Sequence, residues 1–190
     1  MKNARSVVGS ILVIGLLATS AITAAAQDDG DVDELTATSY VTGTSGDPRQ
    51  TIAGTDSSSD GGLVEHRGYT FADITVDTDD PRLNGIMSIV ANGDERFLSG
   101  TVGSGKLTDV QAFGVRITND EGGWSGQGTA LIHGNGSTAT TNLDTIILTG
   151  DGAYEGLTAY VLIDNTTTPP SLEGTVFQGA MTPFPEPPAE

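Results

Sequence analysis

His66 and His133 are the only imidazoles in a chain of 190 residues that has no cysteine. Either could act as a general base or ligate a metal if it had partners. The spacing supplies none: there is no HExxH and no third histidine, His66 stands between Glu65 and Arg67, and His133 precedes Gly134. Both read as structural or exposed residues. Asp56-Ser-Ser-Ser-Asp-Gly61 copies the opening of a calcium loop, with oxygens at the first, third and fifth places and then glycine. The twelfth place is Arg67, where a bidentate carboxylate belongs, so an ordinary flexible loop is expected. Gly150, Gly152 and Gly156 do not make GxGxxG, and a β-like run follows where a nucleotide site needs a helix. The GxSxG nucleophile signature is absent. No catalytic residue, cofactor or metal site is assigned. Two aromatics remain as ligand contacts, Trp124 and Tyr154. Trp124 shares a strand face with Gly126, Gly128, Ala130 and Ile132, so it either floors a cavity or plugs an end as core. Tyr154 is the one large side chain in a glycine corner, and Glu155 is the polar group beside it. Arg116 lies opposite Phe113, Val115 and Ile117 and reads as an outward charge.

The elements that must position these residues are strands. Threonine is abundant and there are 26 glycines, and both are poor helix formers. The spacing predicts strands over 35–41, 63–78, 83–91, 96–102, 110–118, 124–133, 145–149, 157–164 and 172–181, with a long polar loop over 42–62. In the second of these, Tyr69 and Phe71 face one way and Ile74 and Val76 the other. Asp79-Asp80-Pro81 and Asn92-Gly93-Asp94 read as turns, the latter as a hairpin signal. Ser99-Gly-Thr-Val102 and Glu173-Gly-Thr-Val176 look like one repeated motif with a glycine inside a strand. Sequential strands with short turns favour a meander or an up-and-down barrel, and closure also removes exposed sheet edges. A β-sandwich is the alternative.

Ahead of the strands, Lys2 and Arg5 precede an apolar run over 7–17, and Ala24-Ala25-Ala26 offers a cleavage site. Residues 1–26 read as a secretory signal peptide, too short and too interrupted to be a membrane anchor, which needs about 20 apolar residues. Residues 27–34 read as an acidic, disordered leader, 35–182 as the β domain, and 183–190 as a Pro-rich extended tail. The localisation expected is secreted or cell-envelope, with no membrane association after cleavage. Without cysteine, burial and backbone hydrogen bonds must hold the domain. The formal charge is -17, from 8 basic and 25 acidic residues. Such a surface repels nucleic acid and anionic membranes. Solubility is its simplest explanation, and cation binding the sharper one.

Leu148-Thr-Gly-Asp-Gly-Ala-Tyr-Glu-Gly-Leu-Thr-Ala159 resembles the glycine-rich corner of the allene oxide cyclase and dirigent proteins, and Gly174-Thr-Val-Phe-Gln-Gly179 resembles that family's last strand. The resemblance implies an eight-stranded antiparallel barrel with a cavity for a small apolar molecule. It carries no catalytic position onto this chain. Three functional expectations follow: an exported barrel that binds a small apolar ligand, an isomerase-like or dirigent-like enzyme governed by cavity shape, and a structural or adhesive extracellular module.

Overall fold

The computed structural model describes residues 38–180, residues 48 and 137 excepted. The signal peptide, acidic leader and Pro-rich tail lie outside the described residues. Ten strands follow one another: β1 (Ser39–Ser45), β2 (Arg49–Ile52), β3 (Thr55–Ser59), β4 (Leu63–Thr78), β5 (Gly85–Phe97), β6 (Lys106–Thr118), β7 (Gly122–Asn135), β8 (Thr138–Gly152), β9 (Leu157–Asp164) and β10 (Ser171–Gln178). The only helical piece among the described residues is a 3-10 turn at Pro81–Leu83.

All the pairings are antiparallel. They run β1-β10-β9-β8-β7-β6-β5-β4, and β1 returns to pair with β4. Eight strands thus close one barrel-like ring, and the expectation of an all-β, eight-stranded antiparallel barrel holds. The sandwich alternative fails because the sheet meets itself. Closure comes through Gly43, Thr44 and Ser45 of β1 against Thr78, Asp77 and Val76 of β4.

The long loop expected over 42–62 is not one. β2 and β3 lie in it and pair with the first part of β4 before β1 takes over the same edge. Asp56 and Ser58 of the calcium-like stretch are strand residues facing His66 and Val64 across the ladder. A segment rich in serine and glycine has weak strand propensity, but a long partner edge already in place overrides it.

β4 also departs from plain alternation. Its register with β5 slips between His66 and Tyr69 and again between Phe71 and Ile74. Gly68 (φ 71°) and Asp73 (φ 57°) sit at these bulges in the left-handed region. Each extra residue shifts the side-chain phase by one. Tyr69, Phe71, Ile74 and Val76 therefore all point inward, which corrects the expectation of two opposite faces. Tyr69 pairs with Ala91 and Ile74 with Met87, both inward residues of β5.

Asn92-Gly93-Asp94 is not a turn either. These residues sit mid-strand, with Ala112, Gln111 and Val110 opposite. The Asn92 side chain accepts a hydrogen bond from Gly68 N at 2.8 Å, so it caps the bulge in the next strand. The chain reverses instead between Phe97 and Lys106, where Gly100, Gly103 and Gly105 all adopt positive φ.

The inward residues fill one end of the ring completely. Val41, Ile74, Val76, Leu83, Met87, Ile117, Trp124, Leu148, Tyr154, Leu157, Ala159 and Val176 are all buried. A second, smaller apolar cluster of Val64, Phe97 and Leu107, with Ile132 packed on it, lies toward the other end.

Candidate ligand site

Ladder partners place the inward residues in successive layers. Met87, Ile117 and Trp124 form one, Ala91, Phe113 and Gly128 another, then Gly93, Gln111 and Ala130, then Glu95, Asp109 and Ile132. The layers change character along the barrel.

At the first layer the ring is solid. Trp124 is 0% exposed and Tyr154 1% exposed, and their rings stack with centroids 5.3 Å apart and planes 15° apart. Trp124 Nε1 donates to Arg82 O at 2.7 Å. The Tyr154 hydroxyl donates to Glu121 Oε2 at 3.2 Å and also bonds the Asn119 side-chain amide. Behind them the Arg82 guanidinium donates to Asp80 Oδ2 at 2.5 Å, and both residues are buried. Burial alone would raise the Asp80 carboxyl. Bonds from Arg82 and Ser39 outweigh it and hold the group below the ordinary aspartate value. The two aromatics expected to contact a ligand thus face each other and the core. Glu155 is exposed on the corner outside. Arg116 is outward, as expected, and pairs with Asp151 at 2.8 Å.

The corner itself is built as the glycines suggest. Gly152 (φ 66°) and Gly156 (φ 84°) are left-handed, and a Cβ on Gly150 would lie 2.1 Å from Tyr154 O. That close approach is what folds Tyr154 back under Trp124.

Past the Phe113 layer the interior opens. Phe113 lies over Gly128, where a Cβ would meet Phe113 Cε2 at 2.3 Å. Small residues on the following strands leave space. One cavity of about 280 Å³ is lined by Phe71, Ile89, Ala91, Phe113, Ala130 and Ile132, together with Gln111, Asn142, Asp144, Asn165, Asp47 and Pro170. A second, of about 230 Å³, is lined by His66, Tyr69, Phe71, Ala91, Gly93, Asp109 and Gln111. Phe71, Ala91 and Gln111 line both, so the two adjoin.

Polar groups gather at this end. His66 Nδ1 donates to Asp56 Oδ1 at 2.8 Å, and Tyr69 OH donates to the same oxygen at 2.6 Å. These bonds, Tyr69 first, hold the Asp56 carboxyl below the usual range. His66 Nε2 faces Glu95 Oε2 at 3.7 Å. Burial raises the Glu95 carboxyl, and the nearby Asp109 adds to that shift. Gln111 Nε2 donates to Asp109 Oδ2 at 2.6 Å. Asp144 accepts from Asn165 Nδ2 at 3.0 Å, and burial raises its carboxyl as well.

No family model, curated protein or solved structure matches this chain.

The sequence reading missed this cluster, because its strands over 110–118 and 145–149 stop one residue short of Asp109 and Asp144; the parity of the longer strands is the signal that could have found them. Along β6, Leu107, Asp109, Gln111, Phe113, Val115 and Ile117 share one parity, as do Asn142, Asp144, Ile146 and Leu148 along β8. Polar residues on an otherwise inward face mark a site. The Asp56–His66 contact had no such signal, because it depends on β3 being a strand. His133, by contrast, is outward, with its Nδ1 and Thr108 Oγ1 3.1 Å apart across the ladder, and it lines neither of these two cavities.

The raised Asp144 carboxyl gives a pH-dependent expectation. A carboxyl whose native value lies above its unfolded value lowers stability once the pH exceeds the unfolded value, because the folded state resists ionisation. Asp144→Asn should therefore raise the melting temperature at neutral pH. It should change nothing below the ordinary aspartate value of 3.8. Thermal melts of both proteins at the two pH values check it. A lower melting temperature at neutral pH would show that the charged carboxylate is needed for folding.

Proposed function

We propose that this chain is an exported binding protein whose barrel takes up a small, largely apolar molecule at the end opposite Trp124. One observation carries this reading. The ring is packed solid at one end, yet the other holds two adjoining cavities: one of about 280 Å³, where Phe71, Ile89, Ala91, Phe113, Ala130 and Ile132 supply the apolar wall beside Gln111, Asn142, Asp144, Asn165 and Asp47, and one of about 230 Å³ that shares Phe71, Ala91 and Gln111 and adds His66, Tyr69, Gly93 and Asp109. A structural module would gain stability from filling that space, since each buried methylene contributes about 0.8 kcal/mol. Apolar walls with a few convergent polar groups are the usual character of a small-molecule site. The leader, with its basic start, apolar run and Ala-rich cleavage site, supports export. The barrel agrees with what the allene oxide cyclase and dirigent resemblance implies about fold, and the ligand assignment rests on the cavity itself.

Ala130→Phe tests it by filling the void from the strand that walls it. Calorimetric titration with n-hexanol should show binding to the parent and none to the variant, with the melting temperature unchanged or higher. Absence of hexanol binding by the parent would sink the reading.

A second reading, an isomerase-like enzyme, has one observation in its favour. His66 lines the smaller cavity and is oriented by the Asp56 carboxylate, as a general base would be. His66→Gln should then abolish turnover of a substrate found to co-purify, while leaving that compound bound.

A further inference from the structure

Asp109 is 6% exposed, and its Oδ1 makes no hydrogen bond. That oxygen sits over Gly93, where a Cβ would approach it to 3.0 Å, and both residues line the smaller cavity. A buried, unpartnered carboxylate oxygen is costly, and native proteins rarely leave one without a role. Its setting sharpens the question. Asp109 lies directly opposite Glu95 in the β5–β6 ladder, so two carboxylates face each other on the inner wall. Like charges at such positions are destabilising. They lie between the main core and the apolar Val64–Phe97–Leu107 cluster, Asp109 buried and Glu95 partly exposed. The barrel supplies only partial relief. Gln111 bonds the other Asp109 oxygen, and His66 approaches Glu95 without a hydrogen bond. Among the described residues no lysine or arginine pairs with Asp109. Arg67 turns outward to Asp94 and Glu65.

We propose that this pocket binds the protonated amine of a small amphiphilic ligand, with Asp109 Oδ1 as acceptor and the apolar tail in the adjoining cavity; this rests on the ligand-binding reading above. Tyr69 and Phe71 line the same pocket, and aromatic rings near a bound organic cation attract it. An organic cation fits better than a metal ion. Among the described residues no three carboxylate or imidazole groups are placed to hold a metal, and Phe71 and Ala91 leave much of the wall apolar. The acidic surface adds a long-range field that draws cations toward the mouth.

The test compares n-hexylamine with n-hexanol by calorimetry on the full secreted chain at physiological ionic strength, where nonspecific surface binding of the amine is screened. The amine should bind at least about tenfold more tightly than the alcohol, the difference expected of one charge-assisted hydrogen bond. Asp109→Asn should bring the amine down to the alcohol's affinity, leave the alcohol unchanged, and leave the melting temperature equal or higher. Asp94→Asn removes an outward carboxylate one position from Glu95, and it should leave amine binding intact. Equal affinities for amine and alcohol would overturn the amine assignment and spare the cavity. Loss of both ligands with a lowered melting temperature in Asp109→Asn would make Asp109 structural. Calcium binding abolished by Asp109→Asn, with no preference for the amine, would assign the site to an inorganic cation. Binding of neither organic probe would overturn both readings.

Discussion

Trp124→Ala should leave a chain that unfolds at a small fraction of the urea concentration the parent withstands, followed by far-ultraviolet circular dichroism. The side chain is wholly buried. Truncating a buried tryptophan costs about 3–5 kcal/mol in lost transfer energy and cavity formation. The Tyr154 stack adds about 0.5–1.5 kcal/mol, and the indole bond to the Arg82 carbonyl about 1 kcal/mol. Domains of this size are stable by only about 5–15 kcal/mol, so the combined loss takes a large share. Trp124→Phe retains most of the packing and forfeits the hydrogen bond, so it should fall well short of the alanine effect. Equal losses for the two variants would mean that the ring contributes little beyond its polar contact.

The second large effect belongs to the ion pair behind it. Arg82→Ala should destabilise by about 3–5 kcal/mol, because it strands the buried Asp80 carboxylate. Asp80→Ala should destabilise as well, because it removes the carboxylate that the buried guanidinium bonds through Nε and Nη2. The double variant should cost much less than the two together, since neither charge is then left without its partner. Acid dependence follows from the depressed Asp80 carboxyl. A depressed acid stabilises the fold at pH above its unfolded value, and that contribution disappears as the pH falls through the native value. The urea midpoint of the parent should therefore drop below the ordinary aspartate value of 3.8, and the double variant should drop less over that range. Additive single effects at neutral pH would show that the pair is not coupled.

What was legible in the sequence was the material rather than every junction. Alternation and glycine content made the all-β ring readable, and Leu157–Asp164 appears with the bounds its pattern suggests. The glycine corner was readable because positive φ and close approach leave few other residues. The errors share a cause. Asn92-Gly93-Asp94 carries a strong turn signal, yet backbone partners on both sides hold it extended. Gly100 and Gly174 stand in nearly the same tetrapeptide, but the first is left-handed in a turn and the second is a ladder residue of β10. Local propensity cannot choose between these outcomes when a long edge is available elsewhere. The bulges of β4 hid the same way: a single added residue inverts every later side chain, and nothing in the strand's composition announces it. For the site, Gln111 alone shared the parity of Phe113 within an expected strand; Asp109 and Asp144 fell one residue outside the strands expected over 110–118 and 145–149. The joining of His66 to Asp56 was not visible, because it needed the hairpin partner first.

The joint between β1 and β4 has one more consequence. Every other wall of the ring is zipped along a longer row, while this one is fastened at Gly43, Thr44 and Ser45, helped by bonds from Gly46 N to Thr75 O and from Asp79 N to Thr42 O. Asp47 and Pro170, just beyond that fastening, also border the larger cavity. The barrel therefore has a seam beside its hollow half, where the fewest backbone bonds stand between a guest and the interior, while the plugged half keeps the hoop from springing open.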